Sequence, residues 1–313
     1  MWLKKFYTYL IEQDIKFDEA TWIGFFERMR ITELSAGERV GCGWISPVDA
    51  EGPLFLNYDS VITLTLSFQT RNLPSSTVKR AISEKLDELA QTGEVITSRR
   101  KREVKEDIEA QMLPKAFIEH TDIPIWIDLK KKFILVAAGS DKQADECVSY
   151  LRKTLGHLPV ILPNLPSATK KLTAAFAGEL PSCFDFANQV WMQSAMQQTH
   201  RAMFSGCELP DSRVDYALDQ GMVVKKLGVK YSEILKLVVT DKMQVSSVSY
   251  STDWRSENQD HAGESSLEMM KLADIILLVP VYRALVEELL NWLGESDANE
   301  STQAAQLATA GSQ

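Results

Sequence analysis

The segment "IPIWIDLKKKFILVAAGSDKQADECVSYLRKTLG", from Ile123 to Gly156, most narrows what this chain can fold into. Its first half reads as two β-rich runs around a lysine turn at Lys130, Lys131 and Lys132. Its second half reads as a helix. Ser140 stands as N-cap and Asp141 lies in the first turn, followed by an apolar stripe of Ala144, Val148, Leu151 and Leu155. Arg152 and Lys153 suit the negative helix end, and Gly156 supplies the stop. A strand pair running straight into an amphipathic helix means that sheet and helices are interleaved here.

The pattern continues on both sides. "MWLKKFYTYLI" and "SVITLTLSF" have strand character, and "FDEATWIGFFERM" between them looks helical with Asp18 as cap. A second helix is expected after "NLPSS", where Pro74, Ser75 and Ser76 supply breaker and cap and Val78, Ala81, Ile82, Leu86 and Leu89 recur at helical spacing. Val104, Ile108 and Met112 make the stripe of a third helix, ended by Pro114. These two helices form an inserted arm at about 73–117. The proline-punctuated "HLPVILPNLP" marks a boundary, so 1–163 is expected to be one α+β half and 164–295 a second. The second half is read as polar helices around Asn188 to His200 and strands at "GMVVKKLGVKY", "ILKLVVT" and "QVSSVSYS". A strand at "ADIILLV" and a helix from Tyr282 to Leu293 close it. Residues 296–313 lack large apolar side chains and read as a disordered tail.

At 313 residues and 45% hydrophobic, the chain has material for a sizeable core. The N-terminal lysines argue against a signal peptide, and Arg283, Glu287 and Glu288 put too much charge into the most apolar stretch for a bilayer span. A cytoplasmic location is expected. Cys42, Cys147, Cys183 and Cys207 form no C-x-x-C pair, and His120, His157, His200 and His261 show no metal-ligand spacing. Neither a metal nor a cofactor is expected, and Cys147 reads as a buried thiol beside a helical stripe. "VGCGWISP" lacks the third glycine and the following helix of a phosphate loop, so it reads as a tight turn beside a buried Trp44. With no nucleophile, metal or phosphate-loop constellation, the chain is not expected to be an enzyme.

One stretch stands out against a formal net charge of -9: "ITSRRKREVKEDIEAQMLPKAF", from Ile96 to Phe117. In helical phase Arg99 faces Glu103, Arg102 faces Glu106 and Lys105 faces Glu109, which describes a solvated helix with weak ion pairs. Arg100 and Lys101 have no acid at that spacing. The other reading is a nucleic-acid-facing patch in which Lys79, Arg80, Arg99, Arg100 and Lys101 line one surface of the arm. Screening over about 8 Å at physiological salt lets such a patch coexist with an acidic exterior.

Five segments bear on this choice: "GWISP" from Gly43, "LPSSTVKRAISEKLDEL" from Leu73, "LPKAF" from Leu113, "IWID" from Ile125 and "LRKTLGHLPV" from Leu151. Their order and spacing resemble the bacterial recombination-associated protein RdgC family over about residues 1–295. The resemblance is thinner after Pro163, where "ALDQGMVVKKLGV" and "ADIILL" anchor it. It implies a horseshoe-shaped α+β monomer with mixed sheets and a protruding helical arm, closing head-to-head and tail-to-tail into a ring homodimer around double-stranded DNA. It further implies binding with little sequence preference, restraint of RecA-promoted strand exchange, and association with the nucleoid. Phe117 in "LPKAF" matches a family aromatic at the dimer contact, with a buried core phenylalanine as the alternative. The family's finger lysines are missing: the corresponding "MFSGCELPDS" from Met203 has no lysine and contains Glu208 and Asp211. A dimeric protein-interaction scaffold that keeps the fold without DNA affinity is therefore the second reading.

Overall fold

The computed structural model describes residues 2–259 and 266–294. His261 and the 296–313 stretch read as a tail lie outside the described residues. In chain order the elements begin with β1 (Tyr7–Ile11), α1 (Glu19–Glu27), β2 (Val40–Ile45), β3 (Phe55–Tyr58), β4 (Val61–Arg71), α2 (Ser75–Gln91) and α3 (Ser98–Met112). They continue with β5 (Ile118–Asp128), β6 (Phe133–Val136), α4 (Asp141–Leu155), β7 (Val160–Ile161), α5 (Ala168–Ala174), β8 (Phe184–Ser194) and β9 (Arg201–Ser205). The last are α6 (Ser212–Asp219), β10 (Met222–Tyr231), β11 (Leu235–Thr240), β12 (Val245–Tyr250), α7 (Thr252–Gln259) and α8 (Leu267–Leu293). The class is α+β, and the strands form two antiparallel sheets where mixed sheets were expected. No helix among the described residues is long and apolar enough to cross a membrane.

The chain divides into two compact units that are discontinuous in sequence. One comprises residues 1–16, 56–63 and the chain from 124 onward; the other comprises 17–55 and 64–123.

In the first unit β6 pairs with both β1 and the end of β5, with Val136 opposite Tyr7 on one side and Ile125 on the other. Helix α4 forms as its caps dictate: the Ser140 hydroxyl accepts the Gln143 N–H, and Gly156 ends the helix at φ 78, a conformation that favours glycine. Cys147 is buried on its stripe. The second sheet runs β12-β11-β10-β8-β9. Long helix α8 buries Ile275, Leu278, Val279, Tyr282, Leu285, Val286, Leu289, Trp292 and Leu293. The Tyr282 ring packs edge-on against Phe6 and Trp126. Asp128, 1% exposed, is neutralised by Arg283, which also reaches the Asp59 carbonyl at 2.6 Å.

Two expectations fail here for identifiable reasons. "ADIILLV" is part of α8, not a strand, because short unbroken apolar runs do not distinguish a buried helix from a buried strand. Asn188 to Ser194 is strand β8, not helix. Its Gln, Ala and Met content favours helix, but pairing with β9 and β10 on both sides overrides that propensity.

In the second unit β2 lies antiparallel to β4 over six registered pairs, Val40↔Thr70 to Ile45↔Thr65. "VGCGWI" is thus a strand and not a tight turn. Trp44 is fully buried as expected and stacks edge-on against Phe26 of α1. A Cβ on Gly43 would stand 2.4 Å from the Ile31 Cα, so glycine permits the close pass in which Ile31 N–H donates to the Trp44 carbonyl at 3.0 Å. The Asp18 carboxylate caps α1 by accepting the Thr21 N–H at 2.9 Å.

Candidate nucleic-acid interface

The arm in the second unit consists of α2 and α3, packed on each other across a short connection. Val78, Val104 and Ile108 are buried between them, while Ala81, Ile82, Leu86, Leu89 and Met112 are half-buried. The Thr97 hydroxyl caps α3 by accepting the Arg100 N–H at 3.2 Å. Helix α2 has Pro74 at its cap position and no side-chain cap, so the breaker predicted there acts but the serine cap does not form.

The structure separates the five proposed cations into two groups. Because α3 starts where α2 ends, Arg99, Arg100 and Lys101 lie at one end of the arm and Lys79 and Arg80 near the other. The roughly ten residues of helix from Arg80 to Ala90 span about 15 Å. They are two spots, not one continuous patch. The predicted i,i+4 pairs form: Arg99–Glu103 at 3.0 Å, Arg102–Glu106 at 3.7 Å and Lys105–Glu109 at 3.8 Å. Arg80 also pairs with Glu84 at 2.9 Å.

Arg100 is not free of acids. It reaches Glu94 at 2.7 Å and Glu103 at 3.4 Å, contacts invisible to an i,i+4 count because one comes from the connection before the helix and the other is three residues on. The guanidinium of Arg99, with Arg100 adding to it, holds the Glu103 carboxyl below its usual range, and Glu94 raises Arg100 above its own. Lys79 and Lys101 are exposed and make no ion pair among the described residues. From Leu73 to Phe117 the chain carries nine basic and eight acidic side chains. Most of the arm's positive charge is therefore balanced locally; Lys79 and Lys101, together with the exposed Lys115 at the arm's base, which likewise makes no ion pair among the described residues, are what remains available to an anion.

Beyond α3 the chain turns through Leu113–Lys115 and presents Phe117 at 89% exposure, which excludes the core reading for this side chain. Leu73, Pro74, Met112 and Ala116 line a mostly apolar groove of about 360 Å³ beside it. Arg71, a residue that sequence reasoning missed, organises this corner. It is 7% exposed and donates to six backbone carbonyls: Leu34 and Glu38 at 3.1 Å, Ser35 and Pro114 at 3.4 Å, Leu113 and Ala116 at 3.5 Å. Asn72 N–H donates to the Phe117 carbonyl at 2.9 Å. In β4 Arg71 continues the polar row of Thr63, Thr65, Ser67 and Gln69, which alternation reads as solvent-facing; the structure buries that row, so the sequence carried no signal for the role of Arg71.

In the first unit the "MFSGCELPDS" stretch forms β9 and the start of α6. Asp211 caps α6 and pairs with Arg213 at 2.7 Å, which pulls its carboxyl down to about 2. Lys225 is engaged by Asp241 at 2.8 Å and by Thr169 at 3.0 Å, whereas its neighbour Lys226 is exposed.

A family model described as "Putative exonuclease, RdgC" matches residues 1–296. The chain belongs to the RdgC family. Among similar proteins, the recombination-associated protein RdgC of Tolumonas auensis is 26% identical, over 95% of this chain and 100% of its own. That of Proteus mirabilis is 24% identical over 94% and 98%, and that of Yersinia enterocolitica 22% over 94% and 98%. Membership implies a recombination-associated role. The RdgC family description names a nuclease activity and the relatives' names a recombination role; neither name demonstrates catalysis by this chain. Among the described residues no group of three or more His, Cys, Asp or Glu side chains is placed to hold a metal ion.

Proposed function

We propose that this RdgC-family protein binds double-stranded DNA as a homodimeric ring with little sequence preference, and thereby restrains RecA-promoted recombination on the nucleoid. The observation that carries this reading is the presence of two exposed lysines, Lys79 and Lys101, that make no ion pair among the described residues, at the two ends of an arm whose base presents an outward Phe117. Lysines that have no acid of their own can neutralise backbone phosphates, which positions a protein on a duplex without reading bases. Phe117 with the apolar groove beside it supplies an anchor and a receptor on one surface. A two-fold contact between copies requires that combination.

The test is retention on a DNA duplex over a salt series. Electrostatic binding makes log affinity fall linearly with log salt, by about 0.9 per phosphate neutralised. A second reading, a dimeric scaffold without DNA affinity, is favoured by the pairing of Arg80, Arg99 and Arg100 with their own acids. No retention at the lowest salt, with an intact dimer, supports the scaffold.

A further inference from the structure

The sheet β12-β11-β10-β8-β9 has two faces of different chemistry. One is core: Val190, Met192, Val224, Leu227 and Val229 are all buried. On the other face the register places Lys226, Trp191 and Met203 in one row across three strands, with Gln193 opposite Arg201 in the adjoining pair. An irregularity between Val224 and Lys226 turns Lys226 to the side of Trp191 while Val224 stays with Met192. Lys226, Arg201 and Met203 are exposed, and neither cation makes an ion pair among the described residues. Trp191 is half-buried, and no other aromatic ring among the described residues stacks on it.

Two features give this face its sign. From Phe186 to Cys207 the chain has no Asp or Glu, although 43 acids in 313 residues would put about three in a stretch of that length. Further along the sheet Lys230 stands directly opposite Lys236, a like-charge cross-strand pair that costs stability unless an anion relieves it, and Asp185 on the other side offsets only one charge.

We propose that this face is a platform for single-stranded DNA, with an unpaired base stacked on Trp191 beside Met203 and phosphates met by Lys226 and Arg201. An aromatic ring amid cations that make no ion pair among the described residues, on a stretch of chain without acids from Phe186 to Cys207, suits a strand that offers both a base face and a phosphate. A duplex keeps its base faces stacked inside and has no use for the ring, and an acidic protein would need only the lysines. The platform shares no residue with the arm, so it stands or falls independently of duplex binding there.

The test measures binding of a labelled oligothymidylate and, separately, of a duplex by the full chain. Trp191→Ala should weaken oligothymidylate binding by about five- to a hundred-fold, the equivalent of one stacked base, and Trp191→Phe should restore most of it. Duplex retention should not change in either. Lys79→Ala/Lys101→Ala should show the reverse pattern, which separates failure of this platform from failure of the arm. Lys226→Ala, remote from the core face, provides the same readout should Trp191→Ala fold poorly. The proposal is overturned if the parent does not bind oligothymidylate, if folded Trp191 and Lys226 variants bind it as the parent does, or if they lose both ligands in equal proportion.

Discussion

The two-helix arm and the β8–β9 hairpin carry positive charge in opposite ways. The arm is dense in cations, yet Arg80, Arg99, Arg100, Arg102 and Lys105 each lie within 4 Å of an acid of their own unit. Through most of the hairpin, from Phe186 to Cys207, the chain has no acid and a single arginine, Arg201, which makes no ion pair among the described residues. Charge density along a sequence therefore differs from charge available to a ligand. A helix places acids three and four residues away beside each base, whereas a strand pair brings together residues that are distant in sequence.

The largest effect is expected where a cation is used internally. Arg71→Ala leaves six backbone carbonyls to find water, and should destabilise the second unit by about 3 kcal/mol, read as a shift in the urea midpoint. A loss under about 0.5 kcal/mol would mean that the arm's base is held by its apolar contacts alone. Next, Phe117→Ala should weaken self-association by about 2 kcal/mol in sedimentation, with the monomer's melting temperature unchanged because the side chain is exposed. An unchanged dimer would remove Phe117 from the interface.

The units should also differ in alkali. All eight tyrosines fall in the first unit. Burial, aided by Asp141, pushes the Tyr7 phenol up to about 12, and burial with the Asp145 hydrogen bond pushes Tyr9 up further. The folded state holds these protons more tightly than the unfolded chain. Their contribution is complete below about pH 10, the usual phenol value, and is lost as pH rises through the folded value. The drop in urea midpoint between pH 8 and pH 11 should be smaller in Tyr7→Phe than in the parent; an equal drop would show that Tyr7 is not involved. The smallest effect is expected for Arg99→Ala, an exposed i,i+4 partner, at about 0.5 kcal/mol or less in stability and with little change in duplex affinity.

Much of the fold was legible in the sequence because its signals were local. Ser140, Asp141 and Gly156 bracket α4, and the i,i+4 pairs of α3 form where spacing places them. What was not legible depended on tertiary partners. Glu94 neutralises Arg100 from outside the helix, β8 is a strand because β9 and β10 flank it, and the carbonyl cage of Arg71 comes from two segments about forty residues apart in each direction. The separation of Lys79 from Lys101 likewise follows from the reversal between α2 and α3, which single-helix periodicity does not contain.

The central claim is that Lys79 and Lys101, and not the paired arginines, hold the duplex. The most direct test compares the salt dependence of duplex retention for Lys79→Ala/Lys101→Ala with that for Arg80→Ala/Arg99→Ala. If each lysine meets one phosphate in each copy of a dimer, the lysine variant loses about four contacts and its slope flattens by about 3.6, while the arginine variant keeps nearly the parental slope. Equal slopes in the parent and a folded, dimeric lysine variant would contradict the account.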